Sequence, residues 1–445
     1  MQTKGLLAAL GLLVVLGGAV WYSNKVEKEK ADRPDPDAPP KIVEIPADQI
    51  RQIDIAHKGE TTSLTRSEEG NYALVAPQAL RADQDAASSL VTTLSSLASD
   101  RVVDEKPEDL SVYGLDSPNT VVTVTKKDGS KVKLLIGDEN PTGSYSFCKR
   151  EDDPRVFTLA SWNKSSLEKT WKDLRDKRLL TFDSEKLTRL EVTAKGQTIE
   201  FGKNQQNEWQ IIKPRPLRAD GSAVEELVRK VRDAKMDVSL SDEDLRKFAS
   251  RFGGATLVAT VRVTDAAGTQ SMEVRRTSDN TYLARSDAVE GVHKLTSDIG
   301  DGLAKSLEDY RNKKLFDFGW SDPEKFSYKD EKTNLAIEKK DDKWWAGGKE
   351  MDSVSVRNLI DQLRDLSATK FLDSGAPQPE IELSVTSSEG KRIENVRAGK
   401  AGERWIAVRV GEPSVYELDP KKVDELKQAA AGVREAEAKK DEKKK

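Results

Sequence analysis

The tetrapeptide Leu80-Arg81-Ala82-Asp83 returns unchanged as Leu217-Arg218-Ala219-Asp220. In each copy an aromatic residue, Tyr72 or Trp209, stands eight positions upstream, and a run with apolar residues at helical spacing follows. Repetition on the scale of a small domain dictates the architecture before any local pattern is weighed, because each copy should fold into the same unit. Other landmarks keep phase with it. Ile50, Ile53 and Ile55 answer to Leu187, Leu190 and Val192, and Arg175-Asp176-Lys177-Arg178-Leu179-Leu180 answers to Arg311-Asn312-Lys313-Lys314-Leu315-Phe316. Three modules are expected, over 41–183, 184–318 and, more diverged, 319–433.

Within the first module, short alternating β-branched runs predict strands over 61–66, 72–75, 120–126, 131–136, 144–149 and 155–159. Lys127-Asp128-Gly129-Ser130 predicts a hairpin turn, and turns this short favour antiparallel pairing. Asp83 or Asp85 is placed to cap a helix whose apolar face is Ala86, Leu90, Leu94 and Leu97, and a second helix is expected over 161–174. The second module repeats the pattern with the stripe Val224, Leu227, Val228 and Val231, and adds a capped helix starting at Ser241. The third carries the stripe Val356, Leu359, Ile360, Leu363 and Leu366 and a closing helix over 420–433, with a charged, solvated tail over 434–445. Sheets with one apolar face are covered by helices on that face. The fold class is therefore α+β: tandem modules of mostly antiparallel sheet with amphipathic helices, preceded by one N-terminal transmembrane helix.

That helix is read from 5–22, behind a short tail, 1–4. Leu6, Leu7, Leu10, Leu12, Leu13, Val14, Val15 and Leu16 supply its apolar body, and Trp21 and Tyr22 stand where an interfacial aromatic anchor belongs. As a helix, about 18 residues at ~1.5 Å each reach roughly 27 Å, close to the ~30 Å hydrocarbon core. Bulky Trp21 and Tyr22 replace the small residues of a signal-peptide cleavage site, so an uncleaved anchor is expected. Residues 23–40 form a charged, proline-rich linker that holds the body off the bilayer. Lys25, Lys28, Lys30 and Arg33 after the segment outnumber Lys4 before it, which by charge alone favours a cytoplasmic body. The short N-terminal tail suits a signal anchor, and long domains translocate largely regardless of charge, so the body is placed outside the inner membrane.

Composition narrows the chemistry. A net charge of −4 with both signs interspersed gives no footprint for nucleic acid. Cys148 is the only cysteine, which excludes an intrachain disulfide and a cysteine-based zinc site. The two histidines, His57 and His293, fall at non-equivalent positions of different modules and are read as structural. The stretch from Gly137 to Gly143 lacks the Lys-Ser/Thr of a phosphate loop and the distal Glu of a calcium loop, and reads as a turn, as do Asp152-Asp153 and Asp341-Asp342. No catalytic residue, cofactor site or metal site is assigned, and the chain is not expected to be an enzyme. Tyr72, Trp209 and Trp344 or Trp345 occupy equivalent strands and are read as core anchors. Trp344 and Trp345 must face opposite sides of a strand, which makes Trp345 the candidate binding-face aromatic.

Tyr113-Gly114-Leu115-Asp116-Ser117-Pro118 leading into an alternating strand, Leu135-Ile136-Gly137, the run from Gly143 to Ser146, the strand at Val156 and the run from Leu174 to Leu180 together resemble the bacterial family called domain of unknown function 4340. The likeness covers the first module well and the second in outline; the third lacks a recognisable Tyr-Gly-Leu segment. The resemblance implies a single-pass envelope protein with α+β repeats, encoded beside an ABC-type permease, an ATPase and an auxiliary subunit similar to gliding-motility components. It brings no catalytic residues. The expected function is a membrane-anchored, extracytoplasmic (periplasmic) scaffold at the bacterial inner membrane that assists such a complex through protein–protein contacts. The alternative is a module that binds cell-envelope glycan or a lipid-linked saccharide.

Overall fold

The computed structural model describes residues 39–437. Among the described residues, three large antiparallel sheets follow one another along the chain, beside a two-stranded one. In the first, the strands lie in the order Leu80–Arg81, Tyr72–Ala76, Glu60–Arg66, Ile50–His57, Thr120–Lys126, Lys131–Glu139, Tyr145–Arg150, Val156–Ala160 and Val102–Asp104. Two meanders thus meet at a central pair, and a helix, Gln84–Ser95, is inserted between them. Arg189–Ala194 with Thr256–Asp265, and Lys325–Lys329 with Ile381–Ser387, are the same central pairs in the second and third sheets. Their inserted helices are Gly221–Arg232 and Ser353–Asp365. The expected class, tandem modules of mostly antiparallel sheet with a few helices, is what the chain forms. By packing it divides into two compact units, one ending at Lys177 and one starting at Arg178 that holds the second and third sheets.

The repeated tetrapeptide performs three tasks in four residues. Leu and Arg form a two-residue strand at the sheet edge, Ala packs into the core, and Asp caps the helix. Asp83 accepts from the backbone N–H groups of Asp85 and Ala86, and Asp220 from that of Ala223, satisfying donors that the first helical turn leaves open. In the third module only the aspartate survives: Lys349-Glu350-Met351-Asp352 stands in the same place, and Asp352 accepts from Ser355 N–H.

On the other sheet face, the segment leading into the second meander crosses the far strands. In the first module it sets the Tyr113 carbonyl so close that a Cβ on Gly137 would lie 2.1 Å from it. Gly399 answers the Gln378 carbonyl in the same way, at 1.8 Å, so the third module keeps the crossing without the Tyr-Gly-Leu letters. In the second module the crossing is helical, Asp242–Phe252, and Phe252 packs on Leu283 and Val292.

Several expectations need correction. Leu97 is not on the helix face: the helix ends at Ser95, and Leu97 lies in a strand, Ser96–Ala98, whose inward side continues the helical spacing. The helix expected over 161–174 is two, Ser161–Leu167 and Trp171–Leu174, because Thr170 and Asp173 form a capping box that starts a new one. The closing helix stops at Ala431, before Gly432. The charged tail is not wholly free, since Glu435 bridges Met351. The predicted anchor, 5–22, with its eight aliphatic residues, Trp21 and Tyr22, lies outside the described residues, as does most of the linker. No described helix is long and apolar enough to cross a membrane.

A strand that sequence reading missed, Lys41–Glu44, completes the first module. Each closing segment pairs with the tetrapeptide edge of its own module: Asp83 N–H donates to Leu174 O (2.8 Å), Asp220 N–H to Tyr310 O (2.8 Å) and Asp352 N–H to Arg434 O (2.9 Å). In the second unit the segment runs on from Tyr310 to pair with the stretch after the next helix, where Leu315 N–H donates to Leu366 O and Ala368 N–H to Lys313 O. Leu179 N–H donates to Ala234 O in the same way. The first module takes this partner from the N-terminal side: Lys41–Glu44 pairs with Ser96–Ala98, and Ile45 N–H donates to Ser95 O (3.0 Å). Ile42 and Val43, each 1% exposed, and Ile45 join that module's core.

Ile42→Ala should therefore lower the stability of the first unit by about 2–5 kcal/mol, the usual range for an aliphatic truncation in a core. Hydrogen exchange should show the loss in the helix Gln84–Ser95 and its sheet, with the second unit unchanged. Equal protection in variant and parent would show that this strap, Lys41–Glu44, does not support the first core.

Candidate functional site

Within the second unit, charge gathers where the second and third modules meet. Arg218, from the repeated tetrapeptide, is 12% exposed. It donates to the Lys314 carbonyl (2.8 Å) and to the Tyr416 hydroxyl (3.3 Å), pairs with Asp317, and lies 3.8 Å from Glu412. Arg409 binds Glu412 (2.7 Å), Glu394 (2.9 Å) and the Leu315 carbonyl. Buried Glu394 also accepts from Asp317 N–H (3.0 Å). Arg392 donates to the Asp317 carbonyl (2.8 Å) and pairs with Glu208 across the modules. Burial opposes the charge on Arg218, but Asp317, Tyr416 and Glu412 outweigh it and raise its pKa. Burial and neighbouring Glu412 raise that of Tyr416. Arg311 lies over the Phe371 ring at 3.4 Å and donates to Ser414 (3.0 Å). The arrangement fixes two modules together.

The same tetrapeptide arginine in the first module, Arg81, is 46% exposed and 3.9 Å from Asp176. Identical letters thus have different fates. Sequence reading missed the seam because its partners are distant in the chain, Asp317 lying 99 residues from Arg218. Removing one partner of a buried charge group strands the others. Arg218→Ala should cost about 3 kcal/mol of the second unit's stability. Denaturant titration of the variant and the parent checks this, and an unchanged stability would contradict the seam.

Each histidine makes local polar contacts. His57 Nδ1 lies 2.7 Å from Thr120 Oγ, which donates to Glu168 (2.9 Å); Glu168 is itself 3.7 Å from Nδ1. Thr120 is fully buried and its proton is directed to the carboxylate, while both oxygens face the same ring nitrogen. A nucleophile–base–orienter array needs the two ring nitrogens to serve different partners. His293 is buried, with Nε2 2.9 Å from the Glu290 carbonyl. Among the described residues, no three His, Cys, Asp or Glu side chains converge as a metal site.

The acidic candidates are turns. Arg155 and Arg150 bracket Asp153 and Asp152, and the hydrogen bond from Arg155 holds the Asp153 carboxyl down to about 2. Asp341 and Asp342 take left-handed φ values of 48° and 58° in a hairpin turn. Gly114, at φ 65°, faces Asp138, so two of the family-like motifs, Tyr113-Gly114-Leu115 and Leu135-Ile136-Gly137, meet in space as packing. Cys148 sits in the first core, and burial pushes its thiol pKa well up. It should resist maleimide in the folded chain even near pH ~8, where a free thiol reacts, and should label on denaturation; labelling of the native chain would contradict this burial.

Three aromatics mark equivalent strand positions, each opposite a cation on the neighbouring strand. Arg66 lies over Tyr72 (5.5 Å), Lys203 over Trp209 (4.9 Å) and Lys339 over Trp344 (5.6 Å), and each is also the direct cross-strand partner. Trp344, buried, is therefore the third repeat aromatic. Trp345 is half-buried on the opposite side of that strand, where it lines an open groove of about 630 Å³ with Ser327, Ala336, Glu338 and Ser384.

Comparison with known proteins finds no match among curated proteins and none among solved structures. One family model matches twice, over residues 73–209 and 209–384. Both matches begin in a strand carrying a repeat aromatic and run across a closing segment; the second continues past Trp344 to Ser384. Together they span well over half of the 445 residues, and the chain belongs to the family described as Domain of unknown function (DUF4340).

Proposed function

We propose that this chain is an extracytoplasmic scaffold, held at the bacterial inner membrane by 5–22, that assists an ABC-type transport or gliding-motility-like complex through protein–protein contacts. The observation that carries the reading is the joint in the second unit. A shared closing segment and the buried charges around Arg218 hold two modules together before any partner arrives. A surface already ordered loses little conformational entropy on docking. The apolar segment, the proline-rich linker and the likeness to proteins encoded beside a permease and an ATPase support the location and the partner.

Affinity purification of the full chain from gently solubilised native membranes, followed by mass spectrometry, tests this. The expected outcome is recovery of a permease and its ATPase, lost when residues 178–445 are deleted. Recovery of the protein without either component overturns the reading.

A further inference from the structure

The groove beside Trp345 has unused recognition chemistry. Tyr72, Trp209 and Trp344 are each matched to a cation, but among the described residues Trp345 has no cation over its ring, no stacked ring and no acceptor for its Nε1–H. Two tight turns hold it in place. Asp341-Asp342 and Gly347-Gly348 all take positive φ, which suits two-residue hairpin turns on either side of its strand. Next to the indole the side chains are short. Ala336, Ser327 and Ser384 are direct neighbours across three strands, so the ring stands as a wall above a low floor.

The hydroxyls of Ser327, Ser384 and Thr386 make no hydrogen bond among the described residues. Glu338 is the cross-strand partner of both Trp345 and Lys325. Its carboxyl is held below the ordinary range by the hydrogen bond from Lys340, with Lys325 adding to it. Lys325 and Lys340 balance Glu338 and Asp341, leaving the groove without net charge.

We propose that this groove is a subsite for a neutral saccharide. The C–H face of a pyranose ring stacks on the Trp345 indole, and its hydroxyls meet the Glu338 carboxylate and the free hydroxyls of Ser327 and Ser384. A flat apolar face edged by hydroxyls satisfies both surfaces of the groove, and a volume near 630 Å³ falls within the range that holds small ligands. An anion would face Glu338 and Asp341, and a cation Lys325 and Lys340. The assignment does not rest on the scaffold reading, since sugar binding and transporter recovery are separate readouts.

The test is titration of the full chain, in detergent, with two neutral trisaccharides, triacetylchitotriose and maltotriose, followed by saturation-transfer NMR and calorimetry. At least one should bind, with saturation of ring protons. Affinity should fall about tenfold in Trp345→Ala and within about threefold in Trp345→Phe, as loss or trimming of a stacking ring predicts. Glu338→Gln should weaken binding, and Trp320→Ala, which removes a fully exposed indole elsewhere, should not. Should Trp345→Ala melt early, the Trp345→Phe and Glu338→Gln pair decides. No binding of either sugar at concentrations up to about 10 mM, or binding indifferent to these substitutions, overturns the proposal.

Discussion

Peptide groups at the edge of a sheet must find partners, and this fold is arranged around that requirement. The two-residue strands Leu80–Arg81, Leu217–Arg218 and Lys349–Glu350 end their sheets. The closing segment of each module pairs beyond them, while the stretch after each inserted helix needs a partner of its own. In the second unit a single run of chain from Tyr310 to Leu315 serves both needs, for two different sheets. The second or third module cut out alone would lack one of its pairings. Tandem repetition is thus a consequence of local hydrogen bonding, as in other repeat proteins whose units complete one another.

Side chains then distinguish modules that the backbone treats alike. The arginine of the tetrapeptide is half-exposed in the first module and almost enclosed in the second, where Asp317, Glu412 and Tyr416 receive it. Burying such a network carries a desolvation penalty that its ion pairs largely offset, so its main effect is on geometry rather than on net stability. A wrong neighbour would take Tyr416 and Glu412 away from Arg218. The seam therefore selects the order of modules as well as holding them.

The sequence was most legible where one residue type has one local task. Asp83 and Asp220 cap helices, as their position before an apolar stripe indicates, and alternating β-branched runs become strands. Legibility failed where the deciding partner is remote. Lys41–Glu44 looks like the end of a linker until it meets Ser96–Ala98, and Leu97 keeps helical spacing while sitting in that strand. Trp344 and Trp345 could be ordered only by seeing which of them lies beneath Lys339. The seam around Arg218 had no local signature, because its letters are those of Arg81. In the third module the tetrapeptide is gone and only Asp352 remains, showing that the cap outlasts the rest of the motif.

The strap at Lys41–Glu44 also determines how tension would travel. A pull on the chain before Pro39 would enter the first module at Lys41, because a strand starts there and its next two residues are packed in the core. A pull from that side loads the bonds to Ser96–Ala98 and the contacts of Ile42 and Val43 before it reaches the central strands. The first module would thus bear such a load in its own core. Its weakest element under load would be the short pairing that stands in for a preceding repeat.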